Sequence, residues 1–119
     1  VENCIAYTGT HDNETIVGWF DSILPEEREK ARDYLCDYRT AKKQLYHSFI
    51  ALVMRSSAKS CIIPMQDHLG LNNKSRMNQP STIGKNWRWR VSKEELTDEL
   101  KQHILDITKR YGRMNWHNA

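Results

Sequence analysis

With 119 residues the chain is long enough for one small domain and far too short for a complete (β/α)8 barrel, which takes about 250 residues. Eighteen Lys and Arg against fifteen Asp and Glu leave a formal net charge of +3, without the basic stripe that a nucleic-acid binder needs. No apolar run approaches the roughly 20 residues of a membrane-spanning helix, and Cys4, Cys36 and Cys61 form an odd set without metal-ligand spacing. Reduced thiols in a soluble, cytoplasmic protein are therefore expected rather than a disulfide framework.

The chain opens at Val1, with no initiator methionine and no secretory pattern after it, so a piece of a longer protein is expected. Cys4-Ile5-Ala6-Tyr7-Thr8 reads as a short buried strand stopped by Gly9. The next stretch is polar and turn-rich, then apolar at Ile16-Val17-Gly18-Trp19-Phe20. Pro25 followed by Glu26 and Glu27 opens a helix expected to run to about Asp37. Proline gives up no needed N–H there, and the acids suit the positive end of the dipole.

A second helix is predicted over residues 41–57, with Leu45, Phe49, Leu52 and Val53 on one face. Ser60-Cys61-Ile62-Ile63-Pro64-Met65 reads as another short buried strand. Strand, helices and strand in this order make a crossover that joins neighbouring parallel strands. A polar stretch over residues 66–85 follows, long enough to be functional or disordered. Residues 86–91, Asn-Trp-Arg-Trp-Arg-Val, alternate like a half-buried extended segment. Ser92 and Glu95 form a capping box for a last helix carrying Leu96, Leu100, Ile104 and Ile107, with Gly112 to end it.

Chemistry concentrates where the strands end. Tyr7-Thr8-Gly9-Thr10-His11-Asp12-Asn13 leaves a buried strand at the end where parallel α/β folds place ligands. A carboxylate beside an imidazole can bind vicinal sugar hydroxyls. A carboxylate near an anomeric carbon also stabilises an oxocarbenium-like transition state. The bland reading is that Asp12 or Asn13 caps the following turn or helix, and spacing alone leaves cap and site open. One His beside one Asp is a poor metal site, and nothing in the sequence calls for a metal or another cofactor.

The second strand exits into Pro64-Met65-Gln66-Asp67-His68. Gln66 and Asp67 can meet a ligand, or satisfy loop backbone, which is the favoured reading. Trp87 and Trp89, at alternating positions, point to core packing more than to sugar stacking. Asn13-Glu14-Thr15 and Asn73-Lys74-Ser75 match the glycosylation triplet, read as chance without a secretory signal.

Taken in order, Tyr7-Thr8-Gly9-Thr10-His11-Asp12-Asn13, Pro64-Met65-Gln66-Asp67, Leu69-Gly70-Leu71, Arg76-Met77-Asn78 and Asn86-Trp87-Arg88-Trp89-Arg90 resemble the closing third of the 4-α-glucanotransferases of glycoside hydrolase family 77. The resemblance covers nearly the whole chain. It implies an α/β fold: the C-terminal portion of a (β/α)8 TIM barrel, strands seven and eight with their helices. Residues 1–119 would be one segment of that catalytic barrel, with no separate second domain.

By motif match Asp12 would be the transition-state-stabilising carboxylate. His11 would bind ring hydroxyls, Asn78 would help bind glucan, and Asn13, Gln66 and Asp67 would lie at or near the substrate. The implied substrate is an α-1,4-glucan or maltooligosaccharide, and the implied partner is the remainder of the parent barrel. The family works by double displacement with an Asp nucleophile and a Glu acid/base, and no segment here matches either motif. The chain alone is therefore expected to be inactive. Ser81 stands where family members commonly have Gly. Two other readings are an α-glucan hydrolase of the same barrel superfamily and a non-catalytic glucan-binding module.

Overall fold

The computed structural model describes residues 3–84 and 86–114. Lys85, at the end of the expected polar stretch, lies outside them. The order is β1 (Ile5–Tyr7), α1 (Ile16–Ser22), α2 (Pro25–Leu35), α3 (Tyr46–Met54), β2 (Ser60–Ile62), α4 (Met65–His68) and α5 (Asp98–Arg110), with short 3-10 turns between. β1 and β2 pair in parallel, Ile5 opposite Ser60, Ala6 opposite Cys61 and Tyr7 opposite Ile62. The fold is α/β, and the expected crossover between adjacent parallel strands is present.

The helices follow from their ends. Thr15 caps α1, its hydroxyl accepting from the N–H of Gly18 at 3.1 Å, so the caps at Asp12 and Asn13 that the sequence allowed do not form for this helix. Pro25 opens α2 with Glu26 and Glu27 in its first turn, and Cys36 ends it in the left-handed region at φ 54°. The predicted second helix is shorter than expected. A 3-10 turn at Lys42–Gln44 precedes α3, which stops at Met54. Arg113 closes that end: its guanidinium donates to the carbonyls of Met54, Ser56 and Ala58 at 2.7, 3.0 and 3.1 Å. The Met54 carbonyl is one of the acceptors that a helix terminus leaves unmatched, and those of Ser56 and Ala58 belong to the segment just after it.

Two expectations need correction. The Ser92–Glu95 capping box exists, but it closes a 3-10 turn at Lys93–Glu95. The last helix is capped by Thr97, which accepts from the N–H of Leu100 at 3.1 Å. The second strand ends at Ile62, not Met65. Pro64 cannot extend the ladder, having no N–H, and its carbonyl accepts from Asp67 and His68, starting α4.

Two apolar clusters hold the helices. Ile16, Ile50, Met54 and Ile107 form one, and Phe20, Leu35 and Leu45 the other, with Phe49 packed against both. Cys61 reaches the first cluster from β2, and its thiol donates to the Val53 carbonyl at 3.2 Å. Along the strands Ala6 and Cys61 are half-buried, while Ile5, Tyr7 and Ile62 remain 50, 47 and 48 % exposed. One face of the sheet is thus packed and the other open. Among the described residues no helix is long and apolar enough to cross a membrane.

Candidate functional site

Both strands release their chains at the same end, and two loops meet there. The loop after β1 is drawn into a turn by Asn13. Its Oδ1 accepts from the N–H and hydroxyl of Thr10 at 2.8 and 2.9 Å, and its own N–H donates to the Thr10 carbonyl at 3.1 Å. That turn lifts His11 and Asp12 to its tip, with their side chains 56 and 48 % exposed.

The loop after β2 grips the tip from below. The Asn78 side-chain amide donates to Asp12 Oδ1 at 2.5 Å, and its backbone N–H donates to the His11 carbonyl at 3.0 Å. Arg76 donates to the Asp12 carbonyl at 2.8 Å and to the Asn78 carbonyl at 2.9 Å. His11 Nε2 lies 3.3 Å from Asp12 Oδ2. The Trp87 ring stands 5.0 Å from the His11 ring, tilted by 38°. A half-exposed carboxylate is therefore fixed by an amide on one oxygen and an imidazole on the other, beside an indole face. Such a set can take the hydroxyls and apolar face of a pyranose ring and offer negative charge to a developing cation.

His11, Asp12 and Asn78 are thus brought together. The other named residues spend their polar groups on the protein. Asn13 holds the turn, and Gln66 donates to the Ser75 carbonyl at 3.2 Å. Asp67 is 1 % exposed. It accepts from the Thr8 hydroxyl at 2.6 Å and from the Ile16 N–H at 2.8 Å. Burial pushes its pKa up, against the pull of those two hydrogen bonds. The structural role favoured for Gln66 and Asp67 is the one this geometry displays.

Trp87 departs from the expected extended segment. It adopts φ 62° and is 51 % exposed, its N–H donating to the Met77 carbonyl at 2.6 Å. A bulky residue in the left-handed region is uncommon and strained, and here it places the indole beside His11 rather than in a core. Sequence reading also missed Asn73, whose amide reaches Glu14 and Thr15 in the first loop; its one signal was the triplet set aside as chance.

A cleft of about 210 Å³ lies between the loops, lined by His11, Glu14, Asp67, Arg76 and Trp89 among others. A broader groove of about 750 Å³ runs from Asp12 and Arg76 past Tyr7 to Trp19, Phe49 and Val53. Its apolar half follows helix and strand residues rather than loop residues. No group of three or more His, Cys, Asp or Glu side chains among the described residues is placed to hold a metal ion.

The profile of glycoside hydrolase family 77, described as 4-alpha-glucanotransferase, matches residues 1–97. The chain belongs to this family. It is 43 % identical over 114 residues to a 4-alpha-glucanotransferase of Clostridium butyricum, covering 94 % of this chain and 23 % of that protein. A Synechocystis 4-alpha-glucanotransferase is 41 % identical over 116 residues, 97 % of this chain and 22 % of the relative.

Among solved structures, the amylomaltase of Streptococcus agalactiae in complex with acarbose matches with a TM-score of 0.90 and 38 % identity. That match covers 97 % of this chain and 23 % of the amylomaltase. The chain thus spans under a quarter of the length of these family 77 relatives.

Proposed function

We propose that these residues are one segment of the catalytic barrel of a 4-α-glucanotransferase, with β1 and β2 as its seventh and eighth strands and no separate domain within residues 1–119. The reaction read for the whole protein is transfer of a 1,4-α-D-glucan segment to the 4-hydroxyl of an acceptor glucan or glucose, with retention. The observation that carries this reading is Asp12: a half-exposed carboxylate at the C-terminal end of a parallel strand, held by Asn78 and His11.

In this reading a nucleophilic Asp forms the covalent glucosyl intermediate while a Glu protonates the leaving oxygen. The same Glu then takes the proton of the acceptor hydroxyl. Both come from other segments of the protein. Retaining chemistry sets those two carboxylates about 5–5.5 Å apart, and Asp12 is the third, opposing the charge on the anomeric carbon. His11 and Asn78 bind ring hydroxyls, and Asn13, Gln66 and Asp67 shape the wall around them. The acarbose carried by the Streptococcus agalactiae amylomaltase supports a maltooligosaccharide-like ligand, and starch, glycogen or maltodextrin as the metabolic setting.

The open face supports the remaining barrel as partner. Ile5, Tyr7 and Ile62, about half exposed, project from the strand face that a closed barrel fills with side chains. The apolar half of the large groove at Trp19 and Phe49 is where a neighbouring strand and helix would pack. A self-contained binding module would have buried these residues. A cytoplasmic location is part of the same reading, in keeping with thiols at Cys36 and Cys61.

Incubating the full-length protein with maltotriose tests it. Glucose together with oligosaccharides longer than maltotriose is the expected result; smaller sugars alone would mean hydrolysis and overturn transfer. The 119-residue chain by itself is expected to give no product.

A further inference from the structure

We propose that Asn73 is a positioning residue for Asp12, acting through the strand-exit loop and not by touching substrate. The inference rests on the glucanotransferase reading above. Asn73 begins the 3-10 turn after α4 and reaches across to the far end of the loop that carries His11 and Asp12. Its Oδ1 accepts from the N–H of Thr15 at 3.1 Å, and its amide nitrogen donates to Glu14 Oε1 at 2.8 Å. Thr15 is also the cap of α1, so the grip falls where loop becomes helix.

Asp67 ties both ends of the loop, the far end beside the Asn73 contact. The hydroxyl of Thr8 donates to Asp67 Oδ2 at 2.6 Å, and the N–H of Ile16 to Asp67 Oδ1 at 2.8 Å. Residues 9–14 are therefore an arch whose two feet are both fastened to the segment after β2, the segment that also supplies Arg76 and Asn78 to its tip. Fastening both feet fixes the height of Asp12 above the strands.

Gly18 cuts the seat for Asn73. A Cβ at Gly18 would lie 2.2–2.6 Å from the Asn73 amide atoms, so only glycine admits the side chain there. A glycine inside a helix lowers helix stability relative to alanine, and the space it opens is filled by this amide. The Asn73-Lys74-Ser75 triplet is thereby explained without a glycan: the nitrogen that would carry one is the donor to Glu14.

The test uses the full-length enzyme acting on maltotriose, with Asp12→Asn as the reference. Asn73→Asp keeps an acceptor for Thr15 but sets a carboxylate against Glu14. It is expected to lower kcat by about 10–100-fold, because small misplacements of a reacting group carry penalties of that order. KM should move by less than about threefold. Adding Glu14→Gln restores a donor–acceptor pair with its polarity reversed and should return most of the lost kcat. Gly18→Ala, whose methyl displaces the amide, should lower kcat similarly.

A normal kcat in Asn73→Asp with only a lower melting temperature would overturn the inference, and so would a kcat loss that Glu14→Gln does not relieve. If Asn73→Asp is normal while Asp12→Asn is crippled, this inference alone fails. If Asp12→Asn itself turns over normally, the site reading fails and takes this inference with it.

Discussion

The loop end of the molecule and its helical side are held by different forces. At the loop end Asp67, Asn73, Arg76 and Asn78 bind backbone and side chains of the β1 exit with hydrogen bonds of 2.5–3.1 Å. On the helical side Leu45, Ile50, Met54 and Ile107, each 6 % exposed or less, pack against Phe49 and their neighbours. Apolar burial is non-directional and supplies most of the stabilisation. Hydrogen bonds contribute little net free energy but fix atoms relative to one another. Stability and position are thus entrusted to different ends of the same small fold, and substitutions should separate accordingly.

The largest effect belongs to the loop end. Asp12→Asn in the full-length enzyme should lower kcat by about 10²–10³-fold, the usual scale for removing one preorganised electrostatic stabiliser of a transition state. KM should change little, since the charge matters most in the transition state. Steady-state kinetics on maltotriose reads this directly, and unfolding should be unaffected.

The helical side should answer in the opposite manner. Leu45, 1 % exposed, sits between α2 and α3 at the second cluster, and Leu45→Ala should cost about 2–5 kcal/mol of stability. Its kcat measured well below the melting temperature should stay near normal. A kcat loss matching its stability loss would erase the division between the two regions.

A third test uses pH. His47, His68 and His103 come together from α3, α4 and α5, with the His47 and His103 rings 4.8 Å apart and Tyr46 stacked 4.0 Å from His47. Nδ1 of His47 and Nδ1 of His68 are buried without a hydrogen-bond partner among the described residues. Burial, and then the charge of His103, pushes the pKa of His47 and His68 down from 6.5, with His47 adding to the effect on His68. The unfolded chain therefore binds more protons than the folded one just below pH 6.5, so stability is full above that pH and is lost as pH falls. Asp67 has the opposite sign: its raised pKa makes stability decline as pH rises through the acid range. Melting scans between about pH 7.5 and 5.5 should show the histidine loss. His103→Gln should lessen it only in part, because burial is the larger cause.

What could be read in the sequence divides along the same line. The strands, α2 and most of α3 were legible because apolar spacing and end signals are local. The helix at Ile16–Ser22 was not, because Gly18 and the polar run before it break the periodicity. Gly18 makes sense only once Asn73, 55 residues on, is seen to occupy it. The proposal of Asp12 as a sugar-facing carboxylate came only through the ordered motifs. Its cap reading failed for α1 because Thr15 stands closer to that helix and takes the role. Trp87 misled because alternation assumes an extended backbone, and its positive φ breaks that assumption.

The smallest predicted effect tests the backbone itself. Cys36 ends α2 at φ 54°, and Ser81 turns the second loop at φ 64°. Neither is glycine, and the left-handed region costs an L-residue roughly 1–2 kcal/mol. Replacing either by glycine relieves that strain, while the freer unfolded chain takes back about 0.5–1 kcal/mol. Both variants should therefore gain stability by about 0.5 kcal/mol, read as a higher denaturant midpoint at constant m.

Activity then separates the pair. Cys36 closes a helix far along the chain from the loops, and Cys36→Gly should leave kcat untouched. Ser81 lies in the turn where Thr82 donates to the Gln79 carbonyl through its N–H and its hydroxyl, at 3.3 and 2.6 Å, next to the Asn78 that holds Asp12. If its strain merely accompanies the turn, Ser81→Gly also leaves kcat alone. A kcat that falls as stability rises would show that the left-handed serine stiffens the loop, and that precise placement extends beyond the hydrogen bonds to the backbone between them.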